Sequence, residues 1–236
     1  MGDGSTLLKI NKLVRTAKSL ASQKLWFRPV TTLCVVVFTD ASWATRSSGH
    51  SQGGYLCGIA DESILHGQVS PVSLTSWSSC KLPRVARGSL GCEAQGCAIG
   101  QEEAEYTRAL LAELSTPNRR VWRDWADIAR EIKGTTVVDN KTLFDALKKN
   151  QSASLGIDDR RTAIECISLR QGIQWTDTDL KWVHSLANPA DGMTKDDPKA
   201  LESLMRLIAK GYWRIVYDPE FLSSRQRVKK GLSVKE

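Results

Sequence analysis

The clearest hydrophobic pattern in the chain is Val35-Val36-Val37-Phe38, an unbroken run that ends at Asp40. Such a run predicts a strand buried on both faces. A carboxylate at its mouth is held rigidly by the sheet and still reaches solvent, as a metal or catalytic site requires. Upstream, Leu7 to Leu25 carries Leu8, Ile10, Leu13, Val14, Ala17, Leu20 and Ala21 at helical spacing, with Lys9, Lys12, Arg15 and Lys18 between them. This predicts an amphipathic basic helix, with a face that either binds phosphates or is simply solvated. Arg28-Pro29 breaks it. Downstream, Gly53 to Ile59 predicts a second strand, and Ile64-Leu65 with Val72 to Trp77 a third, bulged or at an edge near Pro71. Three strands without an intervening helix predict an antiparallel meander.

At Ser89 the period changes. The stretch to about Leu114 is rich in Ala, Glu and Leu and predicts a long helix with Ser89 at its N-cap. Gly96 and Gly100 lie four apart on one face, so this helix is expected to pack closely on its neighbour. After Pro117-Asn118, Val121 to Ile132 predicts a second helix. Thr135 to Asn140 predicts a short β-branched strand that also ends in aspartate, Asp139. Short helices over Thr142 to Lys149 and Arg161 to Gly172 follow, separated by a polar loop at Ser152 to Gly156. Leu180 to His184 predicts the last strand, and Pro189-Ala190-Asp191 opens a helix that runs to Gly211.

If the strands ending at Asp40 and Asp139 pair side by side and parallel, their terminal carboxylates become neighbours. Glu93 in the first turns of the long helix and Asp191 at the start of the last one complete a cluster of four. Clustered carboxylates repel, so such a site is favourable only when a divalent cation neutralises it, and hard oxygen ligands suit magnesium or manganese. Two ions roughly 4 Å apart stabilise both the attacking and the leaving oxygen in displacement at phosphorus.

With 236 residues the chain can bury a sizeable core. The expected division is a basic helical extension over 1–30, one domain over 31–210 and a basic tail over 211–236. A formal charge of +7 favours a polyanionic partner, nucleic acid before an anionic membrane surface. Six cysteines show no C-x-x-C pair and, with three histidines, no zinc-ligand spacing. Reduced thiols and an intracellular location, cytoplasm or nucleus, are the expectation. No apolar stretch approaches the ~20 residues of a membrane span, so no membrane partner is expected. The opening Met1-Gly2-Asp3-Gly4-Ser5-Thr6 fits an acylation pattern too short to carry weight.

At the acidic residues the chain resembles the ribonuclease H domain of copia-type retrotransposon Pol polyproteins. The residues carrying the resemblance are Asp40-Ala41-Ser42-Trp43; Ser76-Trp77 with the basic segment Lys81, Pro83, Arg84, Val85, Ala86 and then Glu93-Ala94; Asp139-Asn140; Arg161-Thr162; and Ala190-Asp191-Gly192-Met193-Thr194-Lys195. Each motif is short; all in order over Val35 to Lys195 make the signal. The chain departs from the family after Glu93, where Gln95-Gly96 replaces the usual Glu-Tyr. A second match to that pattern, Glu103-Ala104-Glu105-Tyr106, lies ten residues on. Ten helical residues are ~15 Å of rise and about 80° of rotation, so Glu93 and Glu103 cannot serve one metal pair. Spacing from the basic segment favours Glu93, with Glu102, Glu103 and Glu105 read as an exposed face.

The resemblance implies an α/β fold, a ribonuclease H-like five-stranded mixed sheet of three antiparallel strands and then parallel strands, flanked by helices. It further implies hydrolysis of the RNA strand of an RNA–DNA hybrid. Asp40, Glu93, Asp139 and Asp191 would hold two Mg2+ ions, Mn2+ being an alternative. Contacts to 2′-hydroxyls, with Asn140 a candidate, would select RNA. Lys81, Arg84, Arg87 and Lys195 are candidates for phosphates. His184, seven residues before Asp191, is a candidate proton shuttle or a strand-end histidine bonded to backbone. The implied partner besides the hybrid is the reverse transcriptase portion of the same polyprotein. A second reading keeps the domain but not the chemistry: a decayed or co-opted remnant that binds nucleic acid or a polymerase without cutting. An integrase-like nuclease is disfavoured by the acidic spacing and the lack of an H-H-C-C zinc module.

Overall fold

The computed structural model describes residues 4–46, 49–116, 124–148, 157–217, 222 and 229–231. The expected break at Pro117-Asn118, the start of the helix expected from Val121, the Ser152 to Gly156 loop and most of the basic tail lie outside them.

The Val-rich run forms β1 (Leu33–Ser42), and Cys34 to Phe38 are wholly buried. Side chains alternate across a strand. Val36 and Phe38 therefore join a core with Leu56, Leu74, Leu204 and Leu207, while Val35 and Val37 pack with Tyr55, Cys57 and Ala104 on the opposite face. Beside β1 on one side lies β2 (Gln52–Asp61), antiparallel, and then β3 (Ser70–Lys81), antiparallel to β2. On the other side β4 (Lys133–Val138) runs parallel to β1, and β5 (Thr178–Trp182) parallel to β4. A two-residue β6 (Tyr212–Trp213) pairs with the start of β3. The sheet order is β5-β4-β1-β2-β3-β6. This is the expected ribonuclease H-like mixed sheet, with six strands instead of five. A two-residue strand shows no alternation to read in advance.

Helices cover both faces. On one lie α2 (Ser89–Ser115), α3 (Trp125–Arg130), α4 (Lys141–Lys148) and α5 (Arg160–Trp175). On the other lie α6 (Asp191–Thr194) and α7 (Pro198–Lys210). The basic helix α1 (Gly4–Ser19) buries none of its residues. The segment after it does dock: Trp26 Nε1 donates to the Ala209 carbonyl at 2.9 Å and Arg28 Nη2 to that of Lys210 at 3.2 Å, capping the C-terminal carbonyls of α7.

Four local expectations are corrected. Ile64-Leu65 belongs not to β3 but to a 3-10 turn, Glu62–His66, because the Asp61 carboxylate caps it and Gly67, at φ +75°, closes it. The N-cap of α2 is Gly88 with no side-chain hydrogen bond, and Ser89 is the first helical residue. The helix expected from Asp191 to Gly211 is two helices: Lys195 is extended, and Asp197 accepts from the Lys199 N–H to start α7 afresh at Pro198. Glu105 is buried, not part of an exposed face. It accepts from Gln101 at 2.8 Å within a network around the fully buried Arg108. That guanidinium donates to the Ile132 carbonyl, the Thr178 hydroxyl and the Thr176 carbonyl.

The close approach expected of Gly96 and Gly100 is present. A Cβ on Gly100 would stand 2.5 Å from Thr39 Cγ2 and 3.1 Å from Tyr55 Cβ; one on Gly96 would stand 3.1 Å from the Asp40 carbonyl. The long helix thus rests on the mouth of β1. Gly100→Ala is expected to destabilise the fold by about 1–3 kcal/mol through overpacking, lowering the urea midpoint without changing the m-value. An unchanged midpoint would contradict the contact.

Candidate metal centre

Parallel pairing of β1 and β4 sets Phe38 opposite Val137. Carrying that register two residues further brings Asp40 level with Asp139, one strand spacing of about 4.8 Å away. Asp191 arrives from the other side. Ahead of it, the wholly buried Asn188 donates through Nδ2 to the Thr39 carbonyl at 2.9 Å and accepts from the Ala190 N–H at 3.2 Å. One amide thereby ties the start of α6 to the strand that carries Asp40. The seat for α6 is Gly54, which pairs with Asp40 across β1 and β2 and where a Cβ would stand 2.5 Å from Met193 Cβ. Any side chain at that position would lift α6 off the sheet.

The result is a group in which Asp40, Asp139 and Asp191 each offer a carboxylate oxygen within 4.8 Å of the others. Asp40 and Asp191 are almost wholly buried. Glu93, the fifth residue of α2, stands outside that ligand-distance group but within electrostatic reach of Asp139 and Asp40. Lys195 inserts its ammonium, 2.9 Å from Asp191 Oδ1 and 3.5 Å from Asp40 Oδ1. Thr194 donates its hydroxyl to Asp40 Oδ2.

Electrostatics register the crowding. Burial, and then the charge of Asp139, raise the Asp40 carboxyl above its ordinary range against the opposing pull of Lys195. Glu93 is pushed well up by burial, then by Asp139 and Asp40. Asp191 rises to about 8 for the same reasons, burial first. One ammonium faces four carboxyl groups. Asp191 Oδ1 is buried, with the Lys195 ammonium 2.9 Å away. An all-oxygen donor set short of positive charge fits a hard divalent cation.

The remaining sequence candidates divide. Asn140 sits at the cluster, where its amide lowers the Glu93 carboxyl and its Oδ1 accepts from the Leu143 N–H at the start of α4. Lys81 lies at the same end of the sheet, since Ser42 pairs with Gln52 and Gln52 with Lys81. Arg84 and Arg87, both largely exposed, pair with Glu165 of α5 and, at 3.7 Å, with its N-cap Asp159. His184 stands outside the ligand-distance group and caps the 3-10 turn Ser185–Ala187, its Nδ1 accepting from the Leu186 N–H. The sequence reading missed Asn188 and Thr194 as positioning residues. Thr194 was visible inside the Asp191 to Lys195 motif; Asn188 had no signal, because its partner is 149 residues away.

Among solved structures, the chain is similar to the RNase H1 of the halophilic archaeon Halobacterium salinarum NRC-1, at 12% identity and TM-score 0.44, covering 71% of this chain and 97% of that one. It is similar also to LC11-RNase H1, isolated from compost by a metagenomic approach, at 9% identity and TM-score 0.44, covering 73% and 98%. Against the protease–reverse transcriptase of prototype foamy virus the identity is 11% and the TM-score 0.35, with 80% of this chain and 22% of that one covered. The fold assignment rests on strand order and direction, not on these overlaps. No family model matches the chain, and no curated protein matches it in sequence.

A carboxyl whose pKa is higher in the folded than in the unfolded chain favours folding while it is protonated. Asp191, raised from 3.8 to about 8, contributes in full below pH 3.8 and loses that contribution as pH climbs through about 8. Asp40 and Glu93, also raised, act in the same sense. Without divalent metal, the melting temperature is therefore expected to fall between about pH 6 and about pH 8.5, with Mn2+ restoring most at the alkaline end. Asp191→Asn should flatten the fall and remove the Mn2+ gain. A pH-independent melting temperature, or a full Mn2+ gain in the variant, would contradict the assignment.

Proposed function

We propose that the chain is a divalent-metal-dependent nuclease that cuts the RNA strand of RNA–DNA hybrids endonucleolytically, as the ribonuclease H part of a copia-type retrotransposon polyprotein. The observation that carries this reading is the convergence of Asp40, Asp139 and Asp191 at the mouth of adjacent parallel strands in a mixed sheet. The ordered motifs from Asp40-Ala41-Ser42-Trp43 to Asp191-Gly192-Met193-Thr194-Lys195 support the copia assignment. The exposed apolar side chains of α1, Leu7, Leu8 and Leu13 among them, suit a join to a reverse transcriptase portion. A nucleic-acid substrate and six free cysteines agree with an intracellular location, in cytoplasm or nucleus.

Bound Mg2+ or Mn2+ would supply the positive charge that activates water and stabilises charge developing on phosphorus. The chain's own residues do the rest. Asp40, central in the group, is aimed by the Thr194 hydroxyl; Asp139 and Asp191 flank it; and Glu93 faces them from α2. Lys195 places a fixed cation beside Asp40 and Asp191, where an incoming phosphate would meet it. Asn140 and Lys81, at the same end of the sheet, suit contacts to a 2′-hydroxyl and to a backbone phosphate.

The test is cleavage of a labelled RNA–DNA hybrid with Mg2+ or Mn2+. Cutting confined to the RNA strand is expected, lost in Asp40→Asn and Glu93→Gln and kept in Glu103→Gln. Cutting that survives Asp40→Asn, or that treats duplex DNA equally, would refute the reading. Salt-sensitive binding without any cutting would favour a binding remnant.

A further inference from the structure

At the end of the sheet opposite the carboxylates, a pocket of about 300 Å³ opens between α7 and β6. Cys34 is level with Ala60, and Ala60 with Val72 beside β6. Asp40 lies six residues beyond Cys34 along β1, roughly 20 Å from it at strand rise. Three cationic residues, Arg206, Lys210 and Arg214, line the pocket together with Tyr212 and Trp213, and among the described residues none of the lining is acidic.

Two donors there are unsatisfied. The indole Nε1 of Trp213 and the Nε of Arg206 are buried without a hydrogen-bond partner. Trp213 is 7% exposed and fixed edge-on against Phe38, with ring centroids 6.5 Å apart. The Arg206 guanidinium lies over the same indole, 5.2 Å from its centroid. A buried donor left unpaired costs about 1–3 kcal/mol, so two on touching side chains in a cationic pocket call for an anionic acceptor. With the three cationic side chains beside them, such donors suit a tetrahedral oxyanion with several acceptor oxygens. The pocket is larger than one such anion, and the half-exposed Tyr212 ring at its rim offers a surface for a sugar or base.

We propose that this pocket is a second phosphate site, separate from the carboxylates, that seats the backbone of a nucleic-acid strand. A pocket open along a basic helix admits a continuing strand, and the net charge of +7 draws one in. The inference does not rest on cleavage, since a chain that binds without cutting would use the pocket in the same way.

The experiment follows the indole and guanidinium N–H resonances of the 15N-labelled full chain by NMR, in EDTA so that the carboxylates hold no metal. The probes are inorganic phosphate and a short RNA–DNA hybrid. Phosphate is expected to move the Trp213 indole resonance, assigned by its loss in Trp213→Phe, and the Arg206 Nε–H saturably. Arg206→Gln and Lys210→Gln should each weaken phosphate by about fivefold or more while the spectrum stays dispersed. The hybrid should move the same resonances. In the double variant, the slope of log K against log salt should lessen by about 2. No saturable movement with either probe, or movement that survives the double variant, would overturn the site. Movement with phosphate alone would overturn its assignment to nucleic acid.

Discussion

Like charges forced together govern this molecule. Asp40 and Asp139 stand at the ends of adjacent parallel strands, the first of them held by packing on both faces. Their repulsion is thus built into the sheet. Asp191 joins them because α6 is pinned through Asn188 to the Thr39 carbonyl and seated on Gly54. The one cation among the described residues that reaches into the group, Lys195, pairs with two of the three aspartates. Its single charge cannot balance the cluster, and these clustered oxygens are the donor set a divalent ion would take.

The surrounding structure absorbs that strain. The two cores either side of β1 draw on separate helices, so the strand is clamped by Val36 and Phe38 on one face and by Val35 and Val37 on the other. Away from the site, the polar network of Arg108, Glu105, Gln101, Thr176 and Thr178 is closed, with the guanidinium donating from three nitrogens. At the site one ammonium serves two aspartates. Stability is concentrated in the clamps, and the unfavourable charge is confined to one end.

The parts of the fold governed by short-range pattern were legible in the sequence. Period-2 and unbroken apolar runs disclosed β1, β2 and β4, and the Ala- and Glu-rich stretch disclosed α2. Two strands ending in aspartate were enough to suggest that Asp40 and Asp139 meet. What escaped depends on partners far along the chain. Glu105 looked like surface until Arg108 and Thr176 enclosed it. Asn188 is an ordinary loop residue until its contact with Thr39 is known. The sixth strand and the Trp213 pocket likewise exist only once the region after Gly211 has folded back on β3.

On this account the acidic cluster is a divalent-cation centre, with the Lys195 ammonium paired to two of its aspartates. The most direct measurement is a crystal structure of the protein soaked in Mn2+, with anomalous scattering recorded for the metal. The expected result is anomalous density bridging Asp40, Asp139 and Asp191, with the Lys195 ammonium displaced from Asp191. Absence of density at saturating Mn2+, with Lys195 still paired to both aspartates, would contradict it.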